Sequence, residues 1–303
     1  MTRYTAYGLE IDSELPLPWL PPGGNGTADV KIRLGRVPTA LPDPLGKGWY
    51  FEATKDCFLF TVRDTARYLV DRGQRITIDR ISDGSEDLLK TFLMGSGFGA
   101  LMHQRGLLVM HASSVQTNLG AVLFVGPSGH GKSTLLAALV DRGFAMLADD
   151  VTAIDVETEA MPRAFASFPR MRLGAEAAKR IGYSVELLLR AQHSGKYLVP
   201  VENFCAEAQP VHAVYALDVH DSHAIKVETL GPHERFTIVG NNTYRYGFLE
   251  ALGLRKMHFH AAARLAKAVQ VRRISRPASP FLLGELVAEL EVELGKPTAL
   301  THE

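Results

Sequence analysis

Residues 126–133 read Gly-Pro-Ser-Gly-His-Gly-Lys-Ser, a full G-x-x-x-x-G-K-[ST] pattern, and the segments on either side of it restrict the fold further. Residues 121–125, Ala-Val-Leu-Phe-Val, are a short run with no polar member, as in a strand buried on both faces. From Thr134 the chain continues Thr-Leu-Leu-Ala-Ala-Leu-Val, a helix that closes near Gly143. Strand, glycine turn and helix in that order aim backbone N–H groups and the positive end of a helix dipole at one point, where an anion is stabilised. Gly126, Gly129 and Gly131 keep side chains out of the wrap and permit unusual dihedrals, with Pro127, Ser128, His130 and Thr134 completing the cradle. Lys132 then reaches the β- and γ-phosphates as a point charge, and the Ser133 hydroxyl is placed to ligate Mg²⁺. The expected fold class is α/β with a phosphate-loop nucleotide-binding domain, and the expected cofactors are ATP and Mg²⁺.

Asp149 and Asp150 close the apolar run at 144–148, just after the helix that follows the loop. Carboxylates at the carboxyl end of a strand beside a phosphate loop sit where Mg²⁺ must be held, and one of them can take a proton from an attacking hydroxyl. Adjacent residues on a strand face opposite ways, so the two acids should do different work. His111, fifteen residues before Gly126, heads the strand expected next to the loop. Arg170 and Arg172 are further phosphate or acceptor contacts. Between positions 245 and 276 eight Lys/Arg stand against one acid, Glu250, a basic stretch able to meet an anionic tail. Met257, Phe259 and Leu265 in that stretch read as core.

The first hundred residues have a different character. Val30/Ile32/Leu34, Phe58/Phe60/Val62 and Ile76/Ile78 alternate with mostly polar neighbours, as half-buried antiparallel strands do. This gives a β-rich amino-terminal domain over 1–85 and a catalytic domain over 86–303, with Gly95, Gly97 and Gly99 weakening the helix that joins them. Thirty-three basic and thirty-three acidic residues cancel, so no global field draws in nucleic acid or an anionic membrane. Two cysteines far apart in sequence fit a reducing compartment, and no run approaches the ~20 apolar residues of a spanning helix. The expected location is the cytoplasm, with self-association left open.

His111, the loop at 126–134, Asp141-Arg142-Gly143-Phe144 and Leu147-Ala148-Asp149-Asp150 together resemble the catalytic domain of the HPr serine kinase family in residue type and spacing. The resemblance implies a fold like that of phosphoenolpyruvate carboxykinase. It also implies Asp149 as the base toward a serine hydroxyl, His111 as its orienter, Lys132 as the phosphate clamp, and Ser133 with Asp150 as the metal ligands. The family's glutamate-containing signature, tied to its reverse phosphorylase reaction, has no counterpart in Phe168-Pro169-Arg170-Met171-Arg172-Leu173-Gly174, which points to a one-way kinase. The amino-terminal segments Tyr7-Gly8-Leu9 and Ser13 to Pro18 are similar to stand-alone HPr-kinase-like proteins of lasso peptide and other ribosomal peptide maturation. The implied partner is a serine-containing peptide or small protein. HPr itself, a small hydroxylated metabolite, or an ATP-sensing role without catalysis are the alternatives.

Overall fold

The computed structural model describes residues 1–81, 84–190, 195–220, 224–279 and 282–295. Among these the chain is a mixed α/β structure with two large sheets. The amino-terminal sheet holds β1 (Thr2–Ala6), β2 (Leu9–Ser13), β3 (Val30–Leu34), β4 (Gly46–Lys47), β5 (Phe51–Ala53), β6 (Cys57–Val62), β7 (Ala66–Asp71) and β8 (Arg75–Arg80) in the order β1-β2-β3-β8-β7-β6-β5-β4. Period-two patterning turns Val30, Ile32, Phe58, Phe60, Tyr68, Ile76 and Ile78 to one face. That face packs on α1 (Glu86–Phe92) and α2 (Phe98–Gln104), where Leu89, Leu93, Phe98 and Leu101 meet it. The same core takes in Val109, Val151 and Phe248 from later in the chain, so the amino-terminal sheet and later elements share one apolar interior.

Between α1 and α2 the glycine-rich stretch is a π turn, Leu93–Gly97. The glycines mark a close approach: a Cβ on Gly99 would lie 2.8 Å from the Tyr244 ring, and one on Gly95 would lie 3.3 Å from its hydroxyl. π turns often stand beside functional sites, and this one borders the cleft described below.

The second sheet contains β9 (Leu108–Met110), β10 (Ala112–Thr117), β11 (Gly120–Val125), β12 (Ala145–Ala148), β13 (Thr152–Asp155) and β14 (Arg163–Ala164). A small separate sheet is made of β15 (Arg170–Leu173), β16 (Leu189–Arg190) and β17 (Tyr197–Pro200). The long β18 (Gln209–His220), β19 (Lys226–Thr229) and β20 (Gln270–Pro277) complete the second sheet. Its centre is parallel, β11 beside β18 beside β20, while β10 pairs antiparallel with both β11 and β12.

Side chains of β11 alternate between two cores. Ala121, Leu123 and Val125 point to the layer of α5 (Pro232–Asn241) and α7 (Arg255–Ala268). Val122 and Phe124 point to α3 (Lys132–Asp141) and α8 (Leu283–Leu294), which cover the other face. His111 stands between β9 and β10 and heads the latter, its amide donating to Asn242 O at 2.8 Å instead of joining a ladder.

Leu265 is core as expected, whereas Phe259 is 56 % exposed and stacks edge-on with Phe236 at the surface. The basic stretch does not form one patch. Arg264 pairs with Glu157, Arg272 with Glu293 and Arg273 with Glu234, all distant in sequence, and Arg255 pairs with the stretch's own Glu250, so half of its eight cations are matched by acids. No helix among the described residues is long and apolar enough to cross a membrane.

One buried group sets a pH limit on this packing. His103 is fully buried, one ring nitrogen 2.9 Å from Tyr244 O and the other without a partner among the described residues, and burial pulls its pKa down to about 4. The unfolded chain therefore binds a proton that the folded chain refuses between the ordinary histidine value and about 4. Stability is full above that window and falls as pH drops through it. Thermal melts should show a lower Tm at pH 5 than at pH 7, and His103→Gln should shrink that difference.

Candidate functional site

The glycine loop leaves the centre of the sheet where β11 ends and α3 begins. Gly126, Gly129 and Gly131 have φ of +139°, +87° and +95°, in the region that favours glycine. A Cβ on Gly126 would stand 2.7 Å from Leu217 O on β18, so a side chain is barred there by contact as well as by conformation. The Gly126 amide donates to Asn242 Oδ1 at 2.8 Å, which anchors the loop to the end of α5. The amides of Lys132, Ser133 and Thr134 open α3 and, as at any helix start, have no carbonyl of the preceding turn to bind.

Lys132 is buried and folds back on the loop, donating to Gly126 O at 2.6 Å and Pro127 O at 3.1 Å. Desolvation lowers its pKa despite the nearby Asp150 and Asp149. Pro127 and Ser128 line a second hollow with Asn241, Asn242 and Arg273. Arg276 crosses beneath the loop, its guanidinium 3.2 Å from His130 O. This is where the basic stretch reaches the site.

Both aspartates lie in the passage from β12 to β13, but in different settings. Asp149 is 6 % exposed and saturated: Oδ1 accepts from Ser133 Oγ at 2.9 Å and Ser113 Oγ at 2.7 Å, and Oδ2 accepts from the Arg172 amide at 2.8 Å. Asp150 takes a left-handed φ of +71° and leaves its side chain 27 % exposed. Its Oδ2 lies 3.4 Å from the Arg172 guanidinium, and its Oδ1 and carbonyl lie 3.4 and 2.9 Å from His111 Nδ1. The expected pairing of His111 with Asp149 and of Ser133 with Asp150 is thus crossed in the structure. A strand would have put the two acids on opposite faces. The turn at Asp150 instead swings its carboxylate to His111 while Asp149 stays under the loop.

Both carboxylates border a half-enclosed cleft of about 820 Å³, open solvent at its mouth included. Arg170 and Arg172 of β15 line it, together with residues that the sequence did not assign to the site: Tyr7, Trp19, Lys90 and Gly95. Tyr7 comes from the β1–β2 turn with φ +56°, and its phenol is pushed above the ordinary tyrosine range by burial, then by Tyr244, Asp150 and Asp149. Ser113 was also missed. Its signal was its place two residues after His111 on the strand beside the loop.

The donor set suits Mg²⁺ held with nucleotide phosphates, which needs few protein ligands: the Ser133 hydroxyl and one carboxylate beside a phosphate cradle. Among the described residues no three His, Cys, Asp or Glu converge, so a self-sufficient protein metal cage is not part of this arrangement.

No protein-family model matches the chain, and no curated protein matches it. Among solved structures it is similar to the Hpr(Ser) kinase/phosphatase from Coxiella burnetii, at 16 % identity over 61 % of this chain and 88 % of that one, with a TM-score of 0.31. At that score the likeness is distant, and no role in the site depends on it.

Proposed function

We propose that this chain is an ATP- and Mg²⁺-dependent kinase that transfers the γ-phosphoryl group to a serine of a short precursor peptide or small protein. The observation that carries the reading is the split pair of aspartates beside the glycine loop, both bordering the cleft, one tied to the loop's serine and the other held beside His111, which lines the hollow at the loop. Loop amides and Lys132 hold the phosphates. The Ser133 hydroxyl, with the Asp149 carboxylate beside it, would hold Mg²⁺, which would supply charge neutralisation to the phosphates. Asp150 accepts the acceptor hydroxyl's proton, the hydroxyl oxygen bonds to Pγ as the bond from Pγ to the bridging oxygen breaks, and ADP leaves. His111 and Arg172 fix the Asp150 carboxylate, exchanging the roles that the family resemblance implies for the two aspartates.

Incubation with γ-labelled ATP and Mg²⁺, offering serine peptides and folded HPr separately, tests this reading. Label on peptide serine with little on HPr is expected, and phosphopeptide with inorganic phosphate should yield no pyrophosphate. Efficient labelling of HPr alone would move the reading to an HPr kinase. ATP binding with no transfer to any acceptor would make the chain a sensor.

A further inference from the structure

The cleft beside Asp150 has its own recognition chemistry. Arg170 places its guanidinium 5.1 Å from the centre of the Trp19 ring, and Lys90 approaches the same ring at 5.4 Å. Lys90 is already paired with Glu86 at 2.6 Å, and Arg172 is committed to Asp150. Arg170 has no carboxylate within ion-pair distance among the described residues, although Asp87 also borders the cleft and lies close enough to act on its charge. A half-buried guanidinium over an aromatic ring, with no hydrogen bond from its fork among the described residues, matches a planar carboxylate from outside. Burial also works against its charge, which an incoming anion would offset.

We infer that this cleft is a carboxylate-reading acceptor site: Arg170 binds a carboxylate of the acceptor, Trp19 carries the acceptor's apolar stem, and the hydroxyl to be phosphorylated reaches Asp150. This rests on the kinase reading and narrows its substrate to hydroxyl compounds that also bear a carboxylate. The source is either a peptide, through its terminus or an acidic neighbour of the serine, or a free hydroxy acid. Trp19 belongs to the amino-terminal region, so that region is part of the acceptor site as well as a support for α1 and α2.

Binding is measurable without nucleotide. The chain has two tryptophans, and Trp49 is 94 % exposed, so Trp49→Phe leaves Trp19 as the fluorescent reporter. Four probes are titrated: acetyl-alanyl-serine with a free carboxylate, its neutral amide, acetyl-aspartyl-serine amide, and glycerate. At least one carboxylate probe should perturb Trp19 and bind tenfold or more tighter than the neutral amide, and which one does so identifies the source. Arg170→Ala should abolish that preference and Arg170→Lys should keep part of it, with thermal melts confirming that both variants fold. Equal affinity for acid and amide, unchanged affinity in Arg170→Ala, or no response of Trp19 to any probe would overturn the inference. Transfer assays on the same probes separate the two readings. Carboxylate-dependent binding without phosphorylation leaves the site standing and removes the kinase, whereas phosphorylation indifferent to the carboxylate does the reverse.

Discussion

Asp150→Asn is expected to lower phosphoryl transfer at least ~100-fold, the lower end of what a lost general base costs, while nucleotide affinity stays within a few-fold of the parent. The amide keeps the shape of the carboxylate but cannot take a proton, and the nucleotide contacts proposed here do not pass through it. His111 Nδ1 still has the Asp150 carbonyl at 2.9 Å, so the local turn should survive. Asp149→Asn should behave differently. Its oxygens accept from the Ser133 and Ser113 hydroxyls and from a backbone amide, and an amide side chain would turn an NH₂ toward one of these donors. Leaving a buried polar group unpaired costs about 1–3 kcal/mol, so this variant should melt lower and bind Mg·ATP more weakly, with transfer lost as a consequence. Single-turnover rates at saturating ATP, beside nucleotide titrations and melts, separate the two. If Asp149→Asn kept its stability and affinity but lost the chemical step, and Asp150→Asn did not, Asp149 would be the base.

The glycine loop was legible because its constraints are local: a buried strand, positions that need positive φ, and a helix start all leave marks within a few residues of each other. The crossed pairing of the aspartates was not. It depends on the left-handed turn at Asp150 and on Arg172 arriving from β15, twenty-two residues later, to bind Asp149 through its amide. Strand periodicity predicts opposite faces for adjacent residues, but it cannot say where the strand stops. Trp19 and Tyr7 were invisible as site residues for a related reason. Nothing in the alternation of an amino-terminal sheet reveals which of its turns a shared core will press against a distant candidate site. The partners of Arg264, Arg272 and Arg273 in the basic stretch were hidden for the same reason, since Glu157, Glu293 and Glu234 lie elsewhere in the chain and only the fold brings them near.

Lys132→Met is expected to reduce transfer by more than ~100-fold and to weaken ATP binding at least tenfold, without lowering the stability of the nucleotide-free protein. The functional loss follows from removing the point charge that the loop offers to the β- and γ-phosphates. The stability expectation comes from the same burial. Desolvation depresses the pKa of Lys132, so the folded state holds this proton less firmly than the unfolded chain does. Between the depressed value and the ordinary lysine value of 10.5 the unfolded state binds more protons, and stability rises with pH across that window. The charged ammonium is thus a cost to the empty fold, only partly met by the carbonyls of Gly126 and Pro127. Methionine keeps the length and apolar stem, removes the cost, and should flatten that alkaline rise, at the expense of two carbonyls left to find water or each other. Melts from pH 7 to 10 on parent and variant, with and without Mg·ATP, give both readouts. A variant that melted well below the parent would show that the two hydrogen bonds outweigh desolvation. A variant that still bound ATP normally would remove Lys132 from the phosphate site.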